Sequence, residues 1–548
     1  MSGSVPWSTV LPASDGPAAA ATTPAASTPS TRPDRVPAQP LGELAALIGA
    51  EPVPGTVSGV SATSSDIRPG DLFAALPGSR RHGIEYLPDA LAAGAIAVLT
   101  DPAGAERLTG GLPALVVSNP RAVLGTVAAQ VYGRPSTKLP VLGVTGTSGK
   151  TTTTFLIRAG LRAAGLAEGV VGTVGVFLGE RHIKLPFTTP EAPQLQALLA
   201  LMLERGIQVV AMEVSSHALA LGRVGGTEFA VGAFTNLSQD HLDFHGGMAD
   251  YFAAKALLFD GRARREVVMV DDEWGRRLVR PHTVTVSAAG DQADWRAERI
   301  EVAADGSTTF LVRGPTGPAF RAGCRLPGGY NVANTLLAFA VLAQLDLDLP
   351  ALAPALAAAQ VPGRMQRVDG SQPFLAVVDY SHKPAGVAGA LRALRPLTTG
   401  RLIVVLGCGG DRDQAKRPVM GQVAAELADL LVVTDDNPRS EDPAAIRAAM
   451  LAGARAVPAG QAAEIREEGD RRRAIELAIG LAEPGDTVLV AGKGHETGQE
   501  IAGTMLAFDD VTVLREALSA HGFTPAPYGS PASIPATRAA AGPDVTST

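Results

Sequence analysis

Short apolar runs alternate with helical patterns through the middle and last parts of the chain, and nearly every run ends in a polar cluster. In the middle, LPVLGVT, IQVVAMEV and FAVGAFT read as strands; later, FLAVVDY, RLIVVLG, LLVVTDD and DTVLVAG do. Strands of this length separated by helices predict parallel α/β sheets, because a parallel pair needs a long crossover and the crossover helix then covers the sheet. The clusters that close the runs are GTSGKT, EVSSH, TNLSQDH, DYSH, GCGGDRD, DDNPR and GKGHE. Open sheets of this kind bind ligands beyond the carboxyl ends of their strands, so these clusters are expected to line clefts.

A chain of 548 residues exceeds one ordinary core. Gly/Pro punctuation divides it at YGRPST (residues 132–137) and QVPGR (residues 360–364). Three folded blocks are predicted, 41–137, 138–362 and 363–522, with no internal repeat at solenoid spacing. Residues 1–40 and 523–548 are dominated by Ala, Pro, Ser and Thr. Ordering such segments costs roughly 1 to 2 kcal/mol per residue, which alanine methyls do not offset, so both are expected to be disordered tails.

Composition removes several classes of function. Against 54 acidic residues stand 47 basic ones, with no long basic run, so a nucleic-acid-coating role is not expected. The only cysteines, Cys324 and Cys408, are too few for a disulfide framework and fit a reducing compartment. No apolar stretch approaches the roughly 18 to 20 residues that span a bilayer, and the N-terminus lacks the pattern of a signal peptide. A soluble cytoplasmic protein without membrane insertion is expected, and it is taken to act as a monomer.

GTSGKT has the makings of a phosphate loop. Gly146 and Gly149, around Thr147 and Ser148, would let backbone N–H groups face phosphate oxygens, Lys150 can reach the β and γ phosphates, and the Thr151 hydroxyl, followed by Thr152, can hold Mg²⁺. The strict G-x-x-x-x-G-K-T pattern is not met: Val144 stands at the first glycine position and Gly143 lies one place early. Glu213 ends IQVVAMEV, where either a metal-binding carboxylate or a solvated strand-end acid would sit. FTNLSQDHLDFHG adds Asn236, Asp240, His241 and His245. Leu242 replaces the glutamate that an H-E-x-x-H zinc site needs, which argues against a metalloprotease.

In this order and spacing, GTSGKTTTT, EVSSHALALGRV, FTNLSQDHLDFHG and ADYFAAKALLF resemble the Mur ligases, the ATP-dependent enzymes that build the stem peptide of peptidoglycan. The likeness runs through all three blocks and leaves out only the tails. It implies an α/β fold of three domains: an N-terminal domain for a UDP-linked substrate, a central P-loop-type ATPase domain with a parallel sheet, and a C-terminal Rossmann-like domain for the incoming amino acid. It also implies that Lys255, in the Y-x-x-x-K segment, is carbamylated; without the likeness it would read as a solvent-facing helix lysine. Adding CO₂ changes the cation into an anion that can help hold Mg²⁺. Two Mg²⁺ ions would then bridge ATP and substrate through Thr151, Glu213, His241 and the Lys255 carbamate, with Lys150 completing the catalytic set.

Other motifs are placed by the same resemblance. Ser64, Ser79, Arg80 and Arg81, in SSDIRPGDLFAALPGSRRHG, match positions that hold the UDP end, although Thr63, Ser64 and Ser65 stand where relatives often have Asp-Ser-Arg. Thr188, Thr189, Ser215 and Arg223 match contacts to the sugar-peptide, and a guanidinium can grip a carboxylate at two points. On the nucleotide side, Asn331, Asn334, Arg364 and Asp379 match; Gln366, Ser381 and Lys383 depart from the family pattern. GCGGDRD is not a dinucleotide loop, since Arg412 stands where a glycine is needed. With DDNPR and GKGHE it implies an acceptor site for meso-diaminopimelate at Arg412, Asp436, Asn437, Pro438, Arg439, Gly492 and Glu496.

The implied reaction joins UDP-N-acetylmuramoyl-L-alanyl-D-glutamate to meso-diaminopimelate through an acyl phosphate, with closure of the last block. L-lysine or folylpolyglutamate chemistry are the alternatives within the ligase class, and a catalytically silent nucleotide-binding regulator is the alternative outside it.

Overall fold

Strand Val141–Thr145 lies near the middle of an eleven-stranded sheet, between Val209–Glu213 on one side and Phe229–Phe234 on the other. All three run parallel. The chain leaves Val141–Thr145 in one direction and later returns to its other side, so a crevice opens at the carboxyl end of that strand. Parallel pairing continues from Glu168–Gly172 through Trp295–Val302, and antiparallel strands are added at both ends. The sheet expected to be parallel is therefore parallel at its centre and mixed at its margins.

This computed structural model describes residues 31–526, apart from 79, 291 and 304. Most of the two predicted tails, and Ser79 among the predicted UDP contacts, lie outside the described residues. Residues 31–40, assigned to the first tail from composition, are described and end in the short strand Gln39–Pro40. The described residues form two units, divided between Pro362 and Gly363.

Within the first unit a smaller parallel sheet is built from Gly59–Ser61, Asp71–Ala74, Ala97–Thr100 and Ala114–Val116. The large sheet is covered on both faces, as its continuous apolar strands require. Helices Lys150–Ala163 and Tyr330–Leu342 bury Leu156, Ile157, Leu336 and Leu342 on one side. Helix Ala192–Glu204 buries Leu195, Leu198 and Met202 on the other. Each such side chain contributes about 1.5 to 3 kcal/mol on leaving water. Gly143 belongs to this packing and not to the phosphate loop: a Cβ there would lie 2.6 Å from the Phe229 ring.

In the second unit, six strands run in the order Gln366–Arg367, Leu375–Asp379, Thr487–Ala491, Leu402–Leu406, Leu430–Val433 and Glu464–Glu467. All but the first are parallel. The predicted strands FLAVVDY, RLIVVLG, LLVVTDD and DTVLVAG are thus neighbours here, and being parallel they bring their polar endings together at the carboxyl ends of the strands. Cys324 and Cys408, one in each unit, are free and buried, and burial raises both thiols, Cys408 to about 12.

Candidate active site

Residues 146–149 turn the chain from strand Val141–Thr145 into helix Lys150–Ala163. Gly146 and Gly149 have φ of 143° and 87°, in the region that disfavours side chains. Space is refused as well: a Cβ on Gly146 would sit 1.8 Å from Thr235 Oγ1, and one on Gly149 would sit 2.4 Å from Asn334 Oδ1. Asn236 clamps the turn, its carbonyl accepting from the Thr147 N–H at 2.8 Å and its Oδ1 from the Ser148 N–H at 3.1 Å. The helix opens with Thr151 to Thr154, all buried despite the modest helix propensity of threonine. Tertiary packing decides there, and the N-terminus it fixes offers first-turn N–H groups to an anion.

Beneath the turn lies a buried carboxylate. Glu213, only 1 % exposed, ends its strand and accepts from Thr151 Oγ1 at 3.0 Å, Thr173 N–H at 2.8 Å and Thr173 Oγ1 at 3.0 Å. The solvated strand-end alternative is thereby excluded. Thr173 was not visible as a partner in the sequence, being 40 residues away. Thr189 Oγ1 donates to the Glu213 carbonyl at 2.9 Å and accepts from the Ser215 N–H at 3.2 Å, while Thr188 Oγ1 is 3.2 Å from Thr173 Oγ1. Arg223 pairs with Glu191 at 2.9 Å and donates to the Thr189 carbonyl at 3.3 Å. Four of the residues predicted to meet the sugar-peptide thus gather beside the phosphate loop.

Lys255 is buried on helix Met248–Ala256, donating from Nζ to the Gly146 carbonyl at 2.7 Å. Burial, then the charge of Lys150, hold its pKa well below the ordinary lysine value. Tyr251, one turn earlier, shares a hydrogen bond with Thr147 at 3.2 Å, and burial lifts its hydroxyl to about 12. His241, at φ 54°, meets the His217 ring edge-on with centroids 4.8 Å apart. His245 is hydrogen-bonded to Ser216 at 2.9 Å, and burial lowers both His217 and His245. His217, in the quoted EVSSH cluster but not among the predicted site residues, is the centre of this group.

Magnesium fits the oxygen part of this set. It favours oxygen ligands, keeps several waters, and is typically held by one or two carboxylates plus phosphates. Thr151 and Glu213 supply a hydroxyl and a carboxylate side by side. Lys255 as an amine has no oxygen to offer; as a carbamate it would have two. Among the described residues, no three His, Cys, Asp or Glu side chains form a metal cage.

On the predicted nucleotide side, Asn334 Nδ2 donates to Asn331 Oδ1 at 3.0 Å, and Asn331 Nδ2 donates to the Pro327 carbonyl at 2.8 Å. In the second unit, Asp379 accepts from the Met365 N–H at 2.7 Å and from Ser381 Oγ. Arg364 lies over the Tyr380 ring, 4.5 Å from its centre. Gln366 is buried and accepts from the Gly363 N–H at 2.8 Å, a structural bond that its amide oxygen makes as a glutamate oxygen would.

The polar endings of the second sheet form one network. Asn437 Nδ2 donates to Asp436 Oδ1 at 3.1 Å and Glu496 Oε2 at 2.8 Å, while fully buried Lys493 donates to Asn437 Oδ1 at 3.0 Å and pairs with Glu496 at 3.2 Å. Pro438 is buried in the same turn. A Cβ on Gly492 would sit 2.5 Å from Asp436 Oδ2, so only glycine lets that acid approach. Arg439 donates to the Gly410 carbonyl at 2.7 Å and pairs with Glu500 at 3.4 Å; Arg412 is exposed. Both arginines flank Gly409, whose Cβ position is 2.9 Å from Arg439 Nη1 and 3.9 Å from Arg412 Cγ. In the first unit, Ser64 opens the short helical turn Ser64–Asp66, while Arg80 and Arg81 are exposed.

Known proteins resemble this chain over most of its length. The chain matches three family descriptions: Mur ligase family, catalytic domain, over residues 56–132; Mur ligase middle domain over 144–342; and Mur ligase, glutamate ligase domain, over 363–494. It is 55 % identical over 496 residues to a UDP-N-acetylmuramoyl-L-alanyl-D-glutamate–2,6-diaminopimelate ligase of Streptomyces coelicolor, covering 89 % of this chain and 98 % of that one. The like-named Corynebacterium glutamicum protein is 48 % identical, covering 88 % and 94 %. A solved structure of a ligase with that name superposes with a TM-score of 0.64 at 31 % identity, covering 88 % of this chain and 99 % of its own.

Proposed function

The chain belongs to the Mur ligase family, and on that premise we propose that it joins meso-2,6-diaminopimelate to the γ-carboxylate of D-glutamate in UDP-N-acetylmuramoyl-L-alanyl-D-glutamate. It is an ATP-dependent amide-bond-forming ligase. In this reading it works in the cytoplasm as a monomer on small-molecule substrates; among the described residues no helix is long and apolar enough to cross a membrane.

A carboxylate and an amine left together form only a salt. In the proposed reaction, a carboxylate oxygen bonds to the γ-phosphorus as the bond to ADP breaks, giving an acyl phosphate. The amine nitrogen then bonds to the carbonyl carbon, the C–O bond to phosphate breaks, and the amine proton passes to solvent. The protein's contribution is positioning and charge neutralisation. Lys150 now donates to the Gly146 and Thr147 carbonyls at 2.9 Å each and would turn from them to the phosphates. Arg223 would hold the reacting carboxylate's neighbourhood from beside Thr189. Thr151, Glu213 and a Lys255 carbamate would hold Mg²⁺, which lowers the cost of gathering negative charge at the transferred phosphoryl group.

The acceptor assignment is carried by Arg412 and Arg439, which flank Gly409 next to the Asn437–Glu496 pair. Diaminopimelate differs from lysine by one carboxylate, and an arginine aimed at that group would be left unpaired by lysine. Sites built around a buried polar contact reject the analogue lacking it by about 10⁴ to 10⁵, so the discrimination expected here depends on bound substrate covering these arginines. The test is phosphate release by the purified chain with UDP-N-acetylmuramoyl-dipeptide, ATP and Mg²⁺, offered meso-diaminopimelate or L-lysine. Turnover with diaminopimelate is expected. Preference for lysine would overturn the acceptor assignment, and ATP binding without phosphate release in the presence of both co-substrates would favour a regulator.

A further inference from the structure

Residues 32–37 form a strap that passes the start of strand Asp71–Ala74, lining a cavity with Ser58, Arg68 and Asp71. Arg32 is its most connected side chain: Nη1 pairs with Asp71 Oδ2 at 2.6 Å, and Nη2 donates to the Asp66 carbonyl at 2.8 Å. The same Asp71 oxygen accepts from the Arg68 N–H at 2.9 Å. Asp71 is 2 % exposed, and Gly59 keeps room for the pair, since a Cβ there would lie 2.0 Å from Asp71 Oδ1 and 3.1 Å from Arg32 Nη1. One guanidinium therefore ties the start of strand Asp71–Ala74 to the turn Ser64–Asp66.

Further along, the strap is anchored to helix Ala192–Glu204 and its end. The Asp34 N–H donates to Glu204 Oε2 at 2.9 Å, and Arg205 Nη2 donates to Asp34 Oδ2 at 3.0 Å. Between strap, turn and the first residues of that helix lies a cavity of about 230 Å³, with Arg32, Ser65, Arg68 and Gln194 in its lining. Local bonds set the start and end of the turn, the Ser61 hydroxyl bridging the Thr63 N–H and carbonyl at 3.0 Å and the Asp66 and Ile67 N–H groups donating to the Thr63 and Ser64 carbonyls at 3.1 and 3.3 Å; the Asp66 carbonyl is the group that Arg32 takes.

We propose that Arg32 is a positioning residue for the nucleotide-sugar substrate, locking the Ser64–Asp66 turn in the shape that receives the uridine end. This rests on the reading above that Ser64 and its neighbours face that end. Arg32 itself need not touch the ligand; it acts through the Asp66 carbonyl and Asp71. A charged, two-point tether is the right device for a short turn, because a single neutral bond would leave it free to rotate about the tether.

The experiment is steady-state kinetics on the full chain and on Arg32→Ala and Arg32→Lys, varying each substrate in turn, with melting temperatures measured alongside. Arg32→Ala is expected to raise KM for the UDP-linked substrate about tenfold, the loss of a charge-assisted bond, while kcat and the KM values for ATP and diaminopimelate stay within about twofold. Arg32→Lys keeps the charge but supplies one bond in place of the fork, and is expected to fall between the two; it decides the matter should the alanine variant not fold. An unchanged KM for the UDP-linked substrate in an active variant, or equal rises for all substrates, would overturn the role of Arg32 alone. Wild-type protein that does not turn over the UDP-linked substrate would instead overturn the functional reading on which the role rests.

Discussion

Lys150 and Lys255 share one acceptor: both Nζ atoms donate to the Gly146 carbonyl, at 2.9 and 2.7 Å. Two ammonium groups held against one oxygen repel each other. Lys150 is half-buried at the head of its helix, whereas Lys255 is 1 % exposed, so burial makes Lys255 the one whose charge is disfavoured. A neutral amine is the form that attacks CO₂, and its carbamate would replace repulsion of Lys150 by attraction.

Lys255→Arg tests that exchange, because a guanidinium keeps the cation and cannot become a carbamate. Activity is expected to fall by about 10² or more, in line with losing an electrostatic stabiliser of the transition state. Wild-type protein kept free of CO₂ is expected to lose activity and regain it with bicarbonate. Full activity in the arginine variant would rule the carbamate out.

Glu213→Gln keeps the volume but not the charge. Thr151 and Thr173 lose a charged acceptor, which is expected to cost about 1 to 3 kcal/mol of stability. A larger effect is expected on the metal: the Mg²⁺ concentration for half-maximal phosphate release should rise, and chelation should abolish release in wild type. A Mg²⁺ titration that superimposes on that of wild type would remove Glu213 from the metal set.

Gly149→Ala combines a strained φ of 87° with a Cβ 2.4 Å from Asn334 Oδ1. ATP affinity is expected to drop about tenfold or more, through displacement of the loop. Asn334→Ala in the same chain removes the obstacle but not the backbone strain, so the double variant should recover part of the loss. Strictly additive losses in a nucleotide-binding titration would mean that Asn334 and Gly149 do not press on one another.

Lys493→Met leaves Asn437 and Glu496 without the buried cation between them. A stability loss of about 1 to 3 kcal/mol is expected, below that for a wholly enclosed pair because Glu496 is a third exposed. KM for diaminopimelate should rise while KM for ATP does not. A chemical melt together with acceptor kinetics would show whether stability alone has changed.

Much of the scaffold could be read locally. The β-strand runs, the glycines at 146 and 149 and the carboxylate at 213 each sit in a pattern a few residues long, so spacing identifies them. What spacing cannot show is who meets whom across the sheet. Thr173 reaches Glu213 over 40 residues, Arg32 reaches Asp71 over 39, and Lys493 reaches Asn437 over 56. Lys255 makes the point most sharply: its helix sequence suggests a solvent-facing lysine, and only packing against the phosphate loop buries it. Ser65, Arg32 and Gln194 around the small-sheet cavity were likewise invisible as a set, since they come from three separate stretches of the chain.

The two sealed cysteines have a practical consequence. With Cys324 and Cys408 buried and held as thiols, maleimide dyes at neutral pH will bypass the native chain. A single cysteine introduced on the surface of each unit can then be labelled without first building a cysteine-free background. Energy transfer between the two dyes would follow, molecule by molecule, whether nucleotide and acceptor draw the units together.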